Sequence, residues 1–465
     1  MRLRGGHLLR VEGTQLCTAG GERVTLRGVG LGGWMNMENF ITGYPSAELL
    51  LRKALRKTMG DEAYKAFFDR FLDVFFSSAD AAYLSSLGLN CVRLPVNYRH
   101  FEDDSRPFEA IEEGFAILSR AVERCAEQEL YAIIDLHSAQ GWQNQRWHSD
   151  NPTHWALLWS HRHFQDRVVW LWEQLAERFR GNEWVAGYNL INEPGDVGGE
   201  VIAPLYRRLH DAIRQIDPDH VLFLEGNRYA LDFDAFGEPL ENCVYSTHDY
   251  ALPGFVDGGG YPGLSRGEYV DRGVVERTFA DRTRYQRATQ TPIWVGEFGP
   301  VYSGDPHVDE MRYRLLADQL EIYAANDVSW TLWTYKDIGL QGLVYAADQS
   351  AYMERIAPVL AKKSRLAVDG WGTTDEPVRH LLEPLEHVVR SEFPDFEPFP
   401  WGQRAWVHQI VRHMLFAEPM VDDFAACFAG VTAADARAAA DSFSFENCEC
   451  RERLAEMLQQ SAMPT

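Results

Sequence analysis

Val185-Ala-Gly-Tyr-Asn-Leu-Ile-Asn-Glu-Pro194 is an apolar run that stops abruptly at Asn192-Glu193-Pro194. Its composition suits a strand buried on both faces. Pro194 cannot extend a strand and holds the residue before it extended, so Glu193 is expected at the strand's C-terminal rim. Pro292-Ile-Trp-Val-Gly-Glu-Phe-Gly-Pro300 has the same form: a short apolar strand delivers Glu297 and ends in a Gly-Pro break. Outward from these two, six more apolar segments read as strands: 25–34, 90–95, 130–137, 221–225, 244–247 and 328–333. Helical patterns alternate with them near 61–76, 110–127, 164–179, 201–216, 275–290 and 307–326, with Ser78-Ala-Asp80 as a further helix start. Eight strands alternating with helices is the α/β pattern that closes as a (β/α)8 TIM barrel. An open doubly wound sheet is the competing arrangement. It would call for a GxGxxG loop opening a helix, whereas the glycines at 28–33 are read in the first strand and its rim.

Residues 7–24 alternate apolar and polar positions and read as an N-terminal hairpin plugging one end of the barrel. The last barrel helix is placed at Glu376–Ser391, so the barrel unit spans 1–393. Phe393-Pro-Asp-Phe-Glu-Pro-Phe-Pro-Trp401 then breaks periodicity. Residues 394–465 read as a small helical C-terminal extension packed on the barrel, with Thr432-Ala-Ala-Asp435 as a capping box.

A chain of 465 residues fits one large barrel with an appendage. Its net charge of −23 argues against nucleic acid and anionic membranes as partners. No stretch approaches the length of a transmembrane helix. The N-terminus lacks an apolar signal core, so a cytoplasmic protein is expected, or a secreted one if a signal segment has been trimmed. Seven cysteines without a CxxC pair indicate neither a zinc ribbon nor a disulfide framework.

In such barrels the chemistry lies at the C-terminal strand ends. Those ends supply Trp34, Arg93, His137, Asn192, Glu193, Glu225, His248, Tyr250, Glu297 and Trp333. Singly, each has an ordinary explanation: an arginine in a salt bridge, a hydrogen-bonded histidine, a core tryptophan. Together they include two rim carboxylates, which is what glycoside hydrolysis requires. One protonates the leaving oxygen and the other attacks or activates water. Arg93 and Tyr250 favour an ionised nucleophile, whereas burial near negative charge favours a carboxyl that keeps its proton. Asn192 can bond a sugar 2-hydroxyl, and Trp333 offers a flat platform for the ring.

Arg93 in Val-Arg-Leu-Pro, His137 after Ile-Asp-Leu, Asn192-Glu193-Pro194, His248-Asp-Tyr250, Glu297 in Gly-Glu-Phe-Gly, and Trp333 together resemble glycoside hydrolase family 5, the cellulase family of clan A. The resemblance runs over residues 25–340. It implies Glu193 as acid/base, Glu297 as nucleophile and retention of anomeric configuration. It also implies that Arg93, His137, Asn192, His248, Tyr250 and Trp333 contact substrate. The stretch Gly28–Ile41 resembles the first strand of the family's exo-β-glucanase branch, which implies that Glu38 binds hydroxyls of a terminal sugar. The chain departs from that branch after Phe40 and again after Phe393.

The expected activity is therefore a retaining β-glycosidase working by double displacement. Its expected substrate is a terminal gluco-, manno- or xylo-configured sugar of a small glycoside or oligosaccharide. Long excursions at 35–80, 138–163, 251–274 and 334–375 favour a closed pocket. An endo-acting β-glucanase or mannanase with an open cleft is the alternative. A metal-dependent hydrolase would draw on His137, His148, His154, His161 and His163, but the first strand ends in Gly-Gly-Trp34 where such enzymes place His-x-His. A non-catalytic sugar-binding protein would need neither Glu193 nor Glu297 in these positions. Side chains alone supply the acid and the nucleophile, so no cofactor or metal is expected. The expected partner is a carbohydrate substrate, with neither nucleic acid nor membrane.

Overall fold

The computed structural model describes residues 6–462. The N-terminal residues read above for a signal segment lie mostly outside that range. Eight parallel strands close into a barrel: β1 (Arg27–Gly30), β2 (Cys91–Asn97), β3 (Tyr131–Ser138), β4 (Val185–Asn189), β5 (Val221–Glu225), β6 (Cys243–His248), β7 (Ile293–Glu297) and β8 (Ser329–Leu332). Neighbours in sequence are neighbours in the barrel, and β8 pairs with β1 to close it. Every residue of β2 and β3 is buried, as strands walled by helices on one side and a filled interior on the other must be. The expected TIM barrel is the fold.

Helices Glu112–Glu127, Arg162–Phe179, Ile202–Ile216 and Pro306–Ala325 connect successive strands near the expected positions. Four details differ from the sequence reading. The helix expected near 61–76 begins much earlier, at Glu48, and runs to Val74 with a break at Gly60, whose φ of 76° an L-residue rarely adopts. The next helix is capped by Ser77, one residue before the expected start, through a reciprocal capping box with Asp80. The helix that follows β8 is Ala351–Arg365, within a stretch read as an excursion. Pro358 inside it hid the pattern, because proline ordinarily ends a helix. Arg379–Glu392, read as the last barrel helix, buries only Leu382.

Strands Leu9–Glu12, Gln15–Thr18 and Arg23–Val24 form a small antiparallel sheet over the N-terminal end of the barrel. Its Leu9 and Leu16 join Leu26, Ile133, Val221, Phe223 and Trp294 in one apolar cluster. At the other side, Cys448–Cys450 pairs antiparallel with Val344–Ala346. Helix Ala433–Ala440, begun by the reciprocal Thr432–Asp435 capping box, packs on helix Glu48–Val74. Among the described residues no helix is long and apolar enough to cross a membrane.

Candidate active site

Asp135 and His137 share a face of β3, two residues apart, and both point into the barrel mouth. Asp135 Oδ2 lies 2.7 Å from His137 Nδ1, which orients the ring, and 3.2 Å from Arg93 Nη2. Arg93, from β2, has no exposed side-chain surface. It donates to Glu297 Oε1 at 2.6 Å, Asn192 Oδ1 at 2.6 Å, Glu225 Oε1 at 3.0 Å and Asn189 Oδ1 at 2.9 Å. A buried guanidinium is tolerable only when its planar fork is filled in this way.

Glu193 sits just beyond β4 with φ of 44°, a left-handed conformation uncommon outside glycine and of the kind that clusters at functional sites. Its backbone N–H donates to Glu225 Oε2 at 2.7 Å, which fixes this turn. Its carboxyl oxygens meet two imidazoles: His248 Nδ1 at 2.7 Å from Oε1 and His148 Nε2 at 3.0 Å from Oε2. Glu297, ending β7, accepts from Arg93 and from the Tyr250 hydroxyl at 2.9 Å. Ligand atoms of Glu193, His248 and Glu297 all lie within 4.8 Å of one another. Three such groups can hold a metal ion, but Arg93, 2.6 Å from Glu297, places a fixed cation against that position and opposes a second one.

Burial pushes the Glu297 carboxyl up; His248 and Arg93 pull it back and the Glu193 charge pushes it up again. Burial pushes Glu193 up as well, and imidazolium N–H groups from His148 and His248 more than reverse this, holding it below the ordinary range. Asn144 Oδ1 takes the Arg146 N–H at 3.0 Å, and its Nδ2 faces His148 Nε2 at 2.8 Å and donates to the Glu193 carbonyl at 3.0 Å, which ties the imidazole to the turn that carries the carboxyl. Burial opposes a charge on His137, but Asp135 and Glu38 outweigh it and push the ring up to about 10.

Glu38 lies just past β1 and is buried. Its Oε1 is 3.2 Å from His137 Nε2 yet makes no hydrogen bond. Trp333, just past β8, stacks parallel to the His137 ring at 5.2 Å. All nine proposed site residues are brought together at the C-terminal end of the barrel. Seven of them, with Arg93 and Asn192 beneath, open on a cavity of about 1070 Å³. Trp34, read as a rim residue, is not among its walls: its indole is buried in the core and donates to the Leu72 carbonyl at 2.8 Å. The histidine cluster does not assemble, since His161 and His163 are exposed and only His137 and His148 reach the cavity.

Sequence reasoning assigned no role to Asp135, Asn189 or Glu225, although strand alternation puts Asp135 on the face of His137. Asn144, Tyr229, Trp371 and Trp401 arrive from loops and from the C-terminal segment. Trp371 stands edge-on to Tyr250 at 5.1 Å and is held by an indole bond to Gln341 Oε1 at 2.9 Å.

The family Cellulase (glycosyl hydrolase family 5) matches residues 76–339. A β-xylosidase from Phanerodontia chrysosporium is 45% identical over 98% of both chains. A probable glucan 1,3-β-glucosidase A from Aspergillus fumigatus is 26% identical over 68% of this chain and 84% of its own. A crystal structure of a glycoside hydrolase, 21% identical, superposes with a TM-score of 0.52 over 68% of this chain and 90% of that one, a likeness of fold. The chain belongs to glycoside hydrolase family 5 and is a glycoside hydrolase.

Proposed function

We propose a retaining, exo-acting β-glycosidase with Glu193 as acid/base and Glu297 as nucleophile, taking a terminal xylo-configured sugar from a small glycoside or oligosaccharide. The observation that carries this is the approach of the two carboxyls, an oxygen of each lying within 4.8 Å of the other and of a His248 ring nitrogen. Retaining enzymes keep their carboxyls about 5–5.5 Å apart, whereas inverting ones leave roughly 6.5–9.5 Å for a water. Glu297 fits the nucleophile because a fixed cation and a phenol hydroxyl both donate to it. Glu193 fits the acid because its partners are imidazoles that can return a proton after the leaving group departs. Glu38, its Oε1 buried and without a hydrogen-bond partner, is placed to accept from sugar hydroxyls. Trp333 and His137 form the floor beneath them. The xylo-configuration rests on the fungal relative, a β-xylosidase over nearly its whole length. The exo reading rests on the enclosure of the mouth by Trp371 and the segment around Trp401.

The test uses an aryl β-xyloside and the two alanine variants. Proton NMR of the first product should show β-xylose. Glu297→Ala should form no glycosyl-enzyme. Glu193→Ala should lose least where the leaving group needs no proton, and added azide should restore some turnover with a β-azide product. An α-configured first product from the native chain would overturn the reading. Internal cleavage of a mixed-linkage glucan or mannan, faster than release of terminal sugars, would select an endo enzyme instead.

A further inference from the structure

Three consecutive residues after β5 adopt left-handed backbone without a glycine among them: Arg228 (φ 54°), Tyr229 (φ 62°) and Ala230 (φ 63°). That conformation costs on the order of 1–2 kcal/mol per residue, so the surroundings must hold it. Tyr229 N–H donates to the Pro194 carbonyl at 3.0 Å, directly after Glu193. Its hydroxyl accepts from Gln145 N–H at 3.2 Å and donates to Gln145 Oε1 at 3.1 Å. Tyr229 faces the cavity. Arg228 reaches the C-terminal segment and donates twice to the Pro400 carbonyl, from Nη2 at 2.9 Å and Nε at 3.3 Å.

The residue after Pro400 is Trp401. Its ring lies 5.7 Å from the Tyr229 ring, borders the cavity and is 45% exposed. Tyr229 in turn is 6.0 Å from the His148 ring, which contacts Glu193. An aromatic wall therefore runs outward from the proposed acid, on the side where a leaving group must emerge. The segment bearing Trp401 is pinned again where the Gln409 amide donates to the Gln145 carbonyl and where Arg404 meets Asp375 at 2.9 Å. A large indole left half-exposed yet held by several anchors is arranged for a ligand, since exposure alone would need no anchoring.

We propose that Tyr229 and Trp401 form a leaving-group subsite for a planar apolar face, whether an aromatic aglycone or a second pyranose, with Trp401 as its specificity-determining residue. This rests on Glu193 being the acid, which defines the leaving-group side. Trp401 lies outside the part of the chain that matches the family description, so the barrel pattern alone does not supply it.

The experiment compares kcat/KM for three β-xylosides: xylosyl fluoride, whose leaving atom is too small to touch the wall, 4-nitrophenyl xyloside and xylobiose. In Trp401→Ala the ratio of at least one larger substrate to the fluoride should fall by at least about tenfold, with Trp401→Phe recovering most of it. A fall for the nitrophenyl glycoside alone assigns an aromatic aglycone; a fall for xylobiose alone, a sugar; a fall for both, any flat face. Arg228→Ala, which unpins the segment without touching the ring, should lower the same ratio and covers a Trp401→Ala that fails to fold. Equal losses on all three substrates, or no change in ratio in either variant, overturn the subsite. If the native chain hydrolyses the fluoride with inversion, or Glu297→Ala remains fully active on it, the parent reading fails instead.

Discussion

Glu38 Oε1 is buried, and His137 Nε2 at 3.2 Å completes no hydrogen bond to it, so acceptor capacity is left for a ligand. Sugar hydroxyls are donors of the right kind, and a charged acceptor strengthens such bonds. Glu38→Ala should therefore lower kcat/KM by at least about tenfold, roughly 1.4 kcal/mol. The loss should shrink on a substrate lacking the hydroxyls it binds. Unchanged kinetics in a folded variant would take Glu38 out of the pocket. A second expectation concerns protons. The Glu193 charge pushes the Glu297 carboxyl up, beyond what burial does alone. Neutralising it in Glu193→Gln must lower the Glu297 value, so the acid limb of kcat/KM moves to lower pH. An acid limb that stays or moves up would contradict the coupling. Both carboxylates could be read from sequence because proline or a Gly-Pro break follows each strand. Asn144, Tyr229 and Trp401 could not, because long loops place them and no periodicity governs where those loops return.

Strand β1 and the turn that follows it show how an element can serve the site by what it lacks. A Cβ on Gly30 would stand 2.6 Å from the Trp333 ring, and one on Gly32 would stand 2.6 Å from Trp333 and 2.8 Å from Ile41. The glycines that mark this strand in the sequence therefore clear the space in which Trp333 lies against His137. Gly32→Ala should tilt Trp333 out of that stack. kcat/KM should fall about tenfold or more on every substrate while the thermal midpoint drops only a few degrees. A change in tryptophan fluorescence should accompany it; full activity would mean that the ring's seat is not needed. The barrel strands were legible because each is a short apolar run cut by glycine, proline or a polar residue. The helix Ala351–Arg365 was not, because Pro358 interrupts a pattern whose buried face nevertheless runs through Tyr352, Ile356, Val359 and Lys363. Packing overrode a local breaker there.

At the scale of the molecule, the C-terminal segment is bound to the barrel by shared polar groups as well as by apolar contact. Lys336, just after β8, has no exposed side-chain surface. It donates to Asp80 Oδ1 at 2.6 Å and to the Phe443 carbonyl at 2.8 Å. Asp80 also accepts from the Tyr335 hydroxyl at 2.7 Å and caps the helix leading into β2. One ammonium thus joins the end of the barrel, the start of a barrel helix and the chain after residue 440. No sequence pattern announces such a junction, since its parts are 256 and 107 residues apart. Lys336→Met keeps the bulk but leaves the Asp80 carboxylate buried without a cation, a defect worth about 3–5 kcal/mol. Urea unfolding should report that loss. Asp80→Asn in the same background should recover part of it, because the stranded charge, not the missing contact, is most of the penalty. Lys336 borders no part of the cavity, so native kcat/KM should persist below the unfolding transition. A loss under about 1 kcal/mol, the range of an exposed ion pair, would show that water reaches Asp80 and that the junction is looser than its hydrogen bonds indicate.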